Sequence, residues 1–582
     1  MDSMRSRNHP FIVSLFLLGA SVLSGGPLSA ADPKDLAQGV DSVFAEYTKP
    51  GSPGCSLAVI RDGLIVYEKG YGLANVEHGV PINPRLTVFD IGSTSKQFTA
   101  TSVLLLAHEG KLSLDDDIHK YLPELPDYGT PVTLRHLLHH TSGVRDYVNL
   151  MAMGGINFED YTTDDDALAA IARQKTLDFP PGSEHSYSNS GYFLLSLIIK
   201  RVSGKTLREF AQERIFAPLG MSNTRILDDH TAIVPHRATG YGPQPGGGFG
   251  IDMANWEQTG DGAVQTTVED LAKWDQNFYA PKVGGPWLIE ELQTTGKLNN
   301  GEAIVYARGL VVDEYRGLRR VSHNGGWAGY RAEMVRFPDQ KLSVITLCNL
   351  GSANPTALAQ EVTDLYLAGK LAPAPAAASP SQAPAAGNAG NVGSTAGAPV
   401  DTARYTGVFW SPAVGVRRVI ARDGKLLYVR RQGSESELAS AGGDRFRLLG
   451  APVAVEVSFL AAAAGAPRRM QVSAEGEKPR VLDEVQPASL KPEDLAAYAG
   501  TYTSAELDTT WTLVIENGRL SLHPKRGPAM PLEPAFSEAF EGPPGLLRFQ
   551  RNGDKTITGF VVGAGRARDL KFVKTAGLRQ AS

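Results

Sequence analysis

Ser93 stands three residues before Lys96 in FDIGSTSKQFTA, just where an apolar segment begins. A serine hydroxyl attacks a carbonyl only after something takes its proton, and an amine can take it only while uncharged. Residues three apart on a helix share a face, so this spacing sets the amine beside the hydroxyl. A helix N-terminus and a desolvated cleft both disfavour an ammonium and lower a lysine pKa. The segment that follows, QFTATSVLLLAHEG, is apolar nearly all round, the pattern of a buried helix. Ser-x-x-Lys alone is short enough to arise by chance, and its plain reading is a capped helix with a surface lysine.

Two further stretches carry chemistry. In PPGSEHSYSNSGYFLLSLIIKRVSG, Tyr187-Ser188-Asn189 lies in a Pro/Gly/Ser-rich loop just before another buried helix. Tyr187 there can relay a proton. Asn189 can hold a substrate amide or, equally, N-cap the helix. In VSHNGGWAGYRAEM a strand pattern runs into His323-Asn324-Gly325-Gly326. Glycines beside a strand let another backbone or a substrate come close, although the same residues taken alone read as a turn.

The elements that must position these residues follow from periodicity. DPKDLAQGVDSVFAEYTK is an amphipathic helix, and SLAVIRDGLIVYEKGYG is a hairpin turning at Asp62-Gly63. From Ser93 to about Lys297 the pattern is mostly helical, with stops at Gly110, Gly204 and Gly220. Strands return in RRVSHNG, RAEMVRFP and KLSVITLCNL, and PTALAQEVTDLYLAG closes the region as a helix. A sheet is thus expected from the two ends of the region with a helical insertion between them, and clefts form at such seams. Residues 371–400 are an Ala/Pro/Gly/Ser linker. Beyond it, Tyr405, Gly407 and Phe409 recur as Tyr498, Gly500 and Tyr502, and Asp423-Gly424 recurs as Asn517-Gly518. Alternating runs between turn signals make each copy an antiparallel sheet or small barrel.

With 582 residues, several domains are expected. A formal charge of -5 with 20% charged residues gives no electrostatic reason for a nucleic-acid or anionic-membrane partner. Arg5 and Arg7 precede FIVSLFLLGASVLS and then Ser29-Ala30-Ala31, the pattern of a secretory signal. The mature protein is therefore expected to be exported, periplasmic or extracellular, with no transmembrane segment, because no later stretch reaches the ~20 apolar residues of a spanning helix. The two cysteines, Cys55 and Cys348, both lie in strand-like stretches. A bridge between them requires those strands to be neighbours, and buried free thiols are the plainer reading.

With all three motifs in view, the chain resembles the serine β-lactamase and penicillin-binding protein superfamily, in its class C-like branch. Ser93-Thr94-Ser95-Lys96, Tyr187-Ser188-Asn189 and His323-Asn324-Gly325 resemble its three motifs in order. LRHLLHHTSGV, APLGMSNTRI and GDGAVQTTVEDLAKW are similar to its segments, over roughly residues 35 to 370. The resemblance implies an α/β (α+β) transpeptidase-like fold, an antiparallel sheet flanked by helices plus a helical subdomain. The expected organisation is a signal peptide over 1–31, a hydrolase domain over 32–370, the linker over 371–400, and all-β barrel-like repeats over 401–488 and 489–582. It also implies an acyl-enzyme on Ser93, with Lys96 and Tyr187 sharing base and acid work and the N–H groups of Ser93 and Gly326 forming the oxyanion hole. Asn189 would orient a small-molecule or peptide substrate, with His323, Asn324 and Gly325 lining its site. No cofactor or metal is implied.

The third motif departs from the Lys-Thr-Gly usual in lactamases and carboxypeptidases. His323 is a weaker cation near neutral pH, and His-x-Gly is similar to the form in D-aminopeptidases and related esterases. Some of those resemble this chain in carrying two C-terminal barrels, one of which sends a loop to the active site. The competing expectations are a β-lactamase or D-alanyl-D-alanine carboxypeptidase, and a non-catalytic envelope protein that binds peptidoglycan or a partner. His136, His139 and His140 in LRHLLHH read as scaffold, and Asp115-Asp116-Asp117 as a solvated turn.

Overall fold

The computed structural model describes residues 33–373 and 401–575 apart from short loops at 413, 432–433, 450–454, 462–465 and 475–478. The signal-like segment and nearly all of the linker lie outside these residues. A six-stranded antiparallel sheet is built from strands Cys55–Arg61 and Leu64–Tyr71 at one end of the region and Val311–Tyr315, Leu318–Trp327, Tyr330–Phe337 and Leu342–Cys348 at the other. Strand Cys55–Arg61 pairs with Leu342–Cys348 in the middle, so the two ends close on each other. Its near-continuous apolar run matches burial on both faces. Ala58 and Ile60 face the large core shared with the insertion. Leu57 and Val59, on the alternate face, pack under helices Pro33–Val43 and Pro355–Tyr366. Leu64–Tyr71, at the edge, keeps exposed positions. Asp62 and Gly63 both take positive φ, 49° and 84°, as a two-residue turn between twisted strands requires.

Cys55 and Cys348 are directly opposed in this register and joined by a disulfide. The reading of two buried free thiols is thereby corrected. Its physical reason is the pairing of strands 293 residues apart, which no local pattern announces.

Helix Lys96–His108 runs between the sheet and the insertion, and eleven of its thirteen residues are buried. This is why its sequence lacks a polar face. Beyond the linker, strands from Gly407–Ser411 to Arg480–Val485 close one eight-stranded barrel, and strands from Gly500–Ser504 to Ala567–Lys574 close another. Eight strands leave an interior that side chains fill. The repeated residues do that filling: Tyr405 and Phe409 are buried in the first barrel, Tyr498 and Tyr502 in the second. Each leading tyrosine donates to an acid, Tyr405 Oη to Asp444 at 2.7 Å and Tyr498 Oη to Glu538 at 3.0 Å.

Candidate active site

Ser93 lies in a 3-10 turn, Gly92–Ser95, that leads into helix Lys96–His108, so the pair spans the turn-to-helix junction. Strand Leu318–Trp327 presses directly on this turn. A Cβ on Gly325 would sit 1.9 Å from Ile91 O, and one on Gly92, at φ +49°, would sit 2.6 Å from Gly326 N. Only glycines permit that approach. The His323-Asn324-Gly325-Gly326 stretch is therefore strand throughout, and the turn reading of it is corrected.

Lys96 is fully buried and Nζ has three oxygen neighbours: Ser93 Oγ at 3.0 Å, Asn189 Oδ1 at 2.9 Å and Asp261 O at 2.7 Å. Burial pushes its pKa down to about 7, against the opposing pull of the nearby Asp261 and Asp146 carboxylates. Two of the three neighbours are carbonyl oxygens, which only accept. A neutral amine spends its two N–H groups on them and turns its lone pair to Ser93. Asn189 thus holds the amine with its side chain. The helix it begins, Asn189–Ser203, follows Ser188 as N-cap without a side-chain bond.

The Tyr187 hydroxyl is shielded from solvent beside Ser93, without meeting full hydrogen-bond geometry to it. Burial keeps it a neutral phenol by raising its pKa, while Ser93 and Arg566 pull the other way. His323 and Gly325 face the buried side of their strand, and Asn324 and Gly326 face outward and are exposed. The His323 ring is locked at both nitrogens: Nδ1 lies 2.6 Å from Asn324 O, and Nε2 lies 3.0 Å from Tyr306 Oη. Nδ1 therefore carries the proton and Nε2 accepts from the phenol. Burial and then Lys96 push His323 down to about 4, so it carries no charge at neutral pH.

Several residues around this group escape the sequence reading. His140 holds the Tyr187 loop from both sides, because Ser188 N donates to its Nδ1 at 3.2 Å and Ser186 N to its carbonyl at 2.9 Å. Its ring lies 4.0 Å from that of Tyr187, and its φ is +56°, a strained value for histidine. Asp146 caps helix Tyr147–Met153 through Asn149 N and accepts from Asn189 N at 2.7 Å. The Asp261 carboxyl, raised by burial, accepts from Tyr147 Oη at 3.1 Å. Asp261 lies in GDGAVQTT and His140 in LRHLLHHTSGV, both segments of the resemblance, but neither segment marks them as site residues.

His136 and the Asp115-Asp116-Asp117 turn are engaged elsewhere. His136 completes the cap of a short helix with Thr133, and Asp115 pairs with Arg135. Asp116 accepts from Ser113 N and Tyr121 Oη, and Asp117 caps the turn Ile118–Lys120.

The second barrel docks here. Leu150 and Met153, on the helix capped by Asp146, belong to that barrel's core cluster. Arg145, 4% exposed, reaches Asp178 at 2.9 Å and, across the boundary, Glu506 at 3.2 Å.

The family model for Beta-lactamase matches residues 40–368. The chain belongs to that family. It is 32% identical over 311 residues to a D-aminopeptidase of Gluconobacter oxydans (strain 621H), a match covering 53% of this chain and 58% of the relative. It is also 32% identical over 300 residues to a penicillin-binding protein of Bacillus subtilis (strain 168), covering 49% and 66%. The chain thus spans under two thirds of the length of these curated relatives. The octameric penicillin-binding protein homologue from Pyrococcus abyssi superposes with a TM-score of 0.53 at 25% identity, over 78% of this chain and all of that one.

Proposed function

We propose that this protein is an exported serine hydrolase that opens a small amide or ester through a covalent acyl group on Ser93, with D-amino-acid amides and peptides as its first substrate class. The observation that carries the proposal is the 3.0 Å approach of Ser93 Oγ to an amine whose other two neighbours are carbonyl oxygens. Neutral Lys96 takes the serine proton as Oγ bonds to the substrate carbonyl carbon. The C–N or C–O bond then breaks, and the proton passes from Lys96 by way of the Tyr187 phenol to the leaving group. Water completes the cycle by the same route in reverse. The N–H groups of Ser93 and Gly326 bind the oxyanion, each worth roughly 3 kcal/mol in comparable sites.

The relatives named D-aminopeptidase support an amide of this class, and neutral His323 argues against carboxylate capture at the third motif. β-Lactam or D-alanyl carboxypeptidase action is the weaker reading for that reason. Arg5, Arg7 and the apolar run behind them support export, as does the Cys55–Cys348 disulfide, because such bonds persist in oxidising compartments.

The test is a panel of nitrocefin, short-chain p-nitrophenyl esters and D-amino-acid p-nitroanilides, run on the full chain and on Ser93→Ala, beside labelling by a fluorophosphonate. Turnover lost and labelling abolished in a folded Ser93→Ala is the expected result. Labelling or turnover that survives the substitution removes Ser93 as nucleophile. An inert wild type that binds peptidoglycan fragments supports the non-catalytic envelope role instead.

A further inference from the structure

The last hairpin of the second barrel, Ile557–Ala564 and Ala567–Lys574, turns at Gly565 and Arg566 against the cleft. Backbone bonds fix it there: Asp146 N donates to Arg566 O at 3.1 Å, and Arg568 N donates to Asp178 Oδ1 at 3.0 Å. Asp146 is the residue that receives Asn189 N, and Asn189 holds Lys96. The tip is therefore joined through two residues to the amine beside Ser93.

The Arg566 side chain lies over the Tyr187 ring, with Cζ 4.5 Å from the ring centroid. Among the described residues its ion-pair partner is the buried Asp146 carboxylate, 4.0 Å away, at the outer limit of such a pair. Both oxygens of that carboxylate already accept backbone N–H groups, from Asn149 and Asn189. The arginine side chain remains 45% exposed. A guanidinium offers five donors in a planar fork that matches a carboxylate. Here that fork is presented to solvent on top of the phenol that adjoins the nucleophile. His323, at the position where the superfamily usually carries lysine, has both ring nitrogens engaged and offers no cation.

We propose that Arg566 is a specificity-determining residue of the cleft: it binds a carboxylate on the substrate near the scissile bond and disfavours a free ammonium at the same place. This deepens the serine-hydrolase reading and rests on it. Within the D-amino-acid amides and peptides it narrows the class to those whose amine is acylated, because the free ammonium of an unmodified amide would meet the guanidinium. A charge-assisted bond of this kind corresponds to a preference of roughly ten- to a hundredfold.

The experiment compares D-alanine p-nitroanilide, its N-acetyl and N-succinyl derivatives, and a carboxy-substituted nitroanilide of N-acetyl-D-alanine. These hold the scissile bond constant while placing an ammonium, no charge, or a carboxylate on either side of it. Calorimetric binding of N-acetyl-D-alanine and of its amide to the full chain gives a readout independent of turnover. In the wild type, kcat/KM for one of the two carboxylate substrates exceeds that of the N-acetyl compound roughly tenfold or more, and the ammonium compound is the poorest. Arg566→Gln flattens the order, Arg566→Lys restores part of it, and Arg566→Glu favours the ammonium. Ser93-dependent turnover with a charge order that ignores all three variants overturns the proposal. Absent turnover, carboxylate binding that weakens in Arg566→Gln keeps the inference and sinks the hydrolase reading, and binding indifferent to Arg566 sinks the inference.

Discussion

The two barrels have the same architecture and different neighbours. Both close eight strands, and both anchor a leading tyrosine on an acid. The first meets the second through Val408, Val416, Ala535 and Ala539, with Arg418 paired to Glu541 at 3.0 Å. The second takes Leu150 and Met153 into its own core cluster and lays a hairpin on the cleft. Repetition has therefore fixed the interiors, which only have to be filled. The outer surfaces, which choose the partner, have gone separate ways. A barrel whose core continues into the catalytic region is a structural part of it, and one joined by a smaller apolar patch and a partly exposed charge pair is an attachment.

Deletion makes the sharpest break. Removing residues 489–582 strips Leu150 and Met153 of their cover and takes away Arg566 and Glu506. The expected outcome is insoluble protein or a loss of kcat/KM beyond a hundredfold. Removing 401–488 while keeping a linker leaves soluble, active protein. Equal tolerance of both deletions would erase the distinction.

Charge pairs at the two boundaries come next. Arg145 and Asp178 are 4% and 5% exposed, so Arg145→Ala leaves a buried carboxylate without its partner and costs roughly 3–5 kcal/mol in chemical denaturation. Arg418 and Glu541 are about a quarter exposed, and Arg418→Ala costs about 1 kcal/mol or less.

The smallest effect is a pH shift. In the proposed mechanism activity needs the uncharged form of Lys96, so kcat/KM is expected to rise with pH through about 7. Its folded pKa lies below the ordinary value of 10.5, so the unfolded chain binds more protons between about 7 and 10.5 and this group's contribution to stability grows with pH across that window. Asp261→Asn removes an anion that pulls the amine up, so the acid limb moves to lower pH. Arg566→Gln removes a cation that pushes it down, so the limb moves to higher pH by a smaller amount. Arg418→Gln, on the first barrel, leaves it in place. An acid limb that answers to Arg418 as strongly as to Arg566 would contradict the placement of the second barrel at the site.

Much of this was legible in local pattern. The hairpin at Asp62-Gly63, the helical insertion, the segments of Ser93, Tyr187 and His323 and the β repeats all announce themselves within a dozen residues. What stayed hidden is long-range. The disulfide requires a strand pairing across the whole insertion. His140 sits in a stretch that reads as helix scaffold, yet its left-handed backbone turns the ring onto Tyr187. Arg566 has no neighbouring motif, and Asp146 lies two residues past LRHLLHHTSGV with nothing to mark its chemistry; the importance of both comes from a barrel docking against a helix far earlier in the chain. Asn189 shows the limit of local reasoning most plainly, since a cap and an amine ligand demand the same residue at the same place.

The closure of the sheet on its own first strand has a consequence for biosynthesis. At about 5–20 residues per second, strand Cys55–Arg61 waits roughly fifteen to sixty seconds for the strand 293 residues downstream that completes it. Throughout that interval the growing chain presents an unpaired edge and a lone thiol, and the turn that carries Ser93 lacks the strand Leu318–Trp327 that presses on it. Because the chain has only two cysteines, the delay exposes it to aggregation and to foreign thiols, never to a wrong bridge of its own.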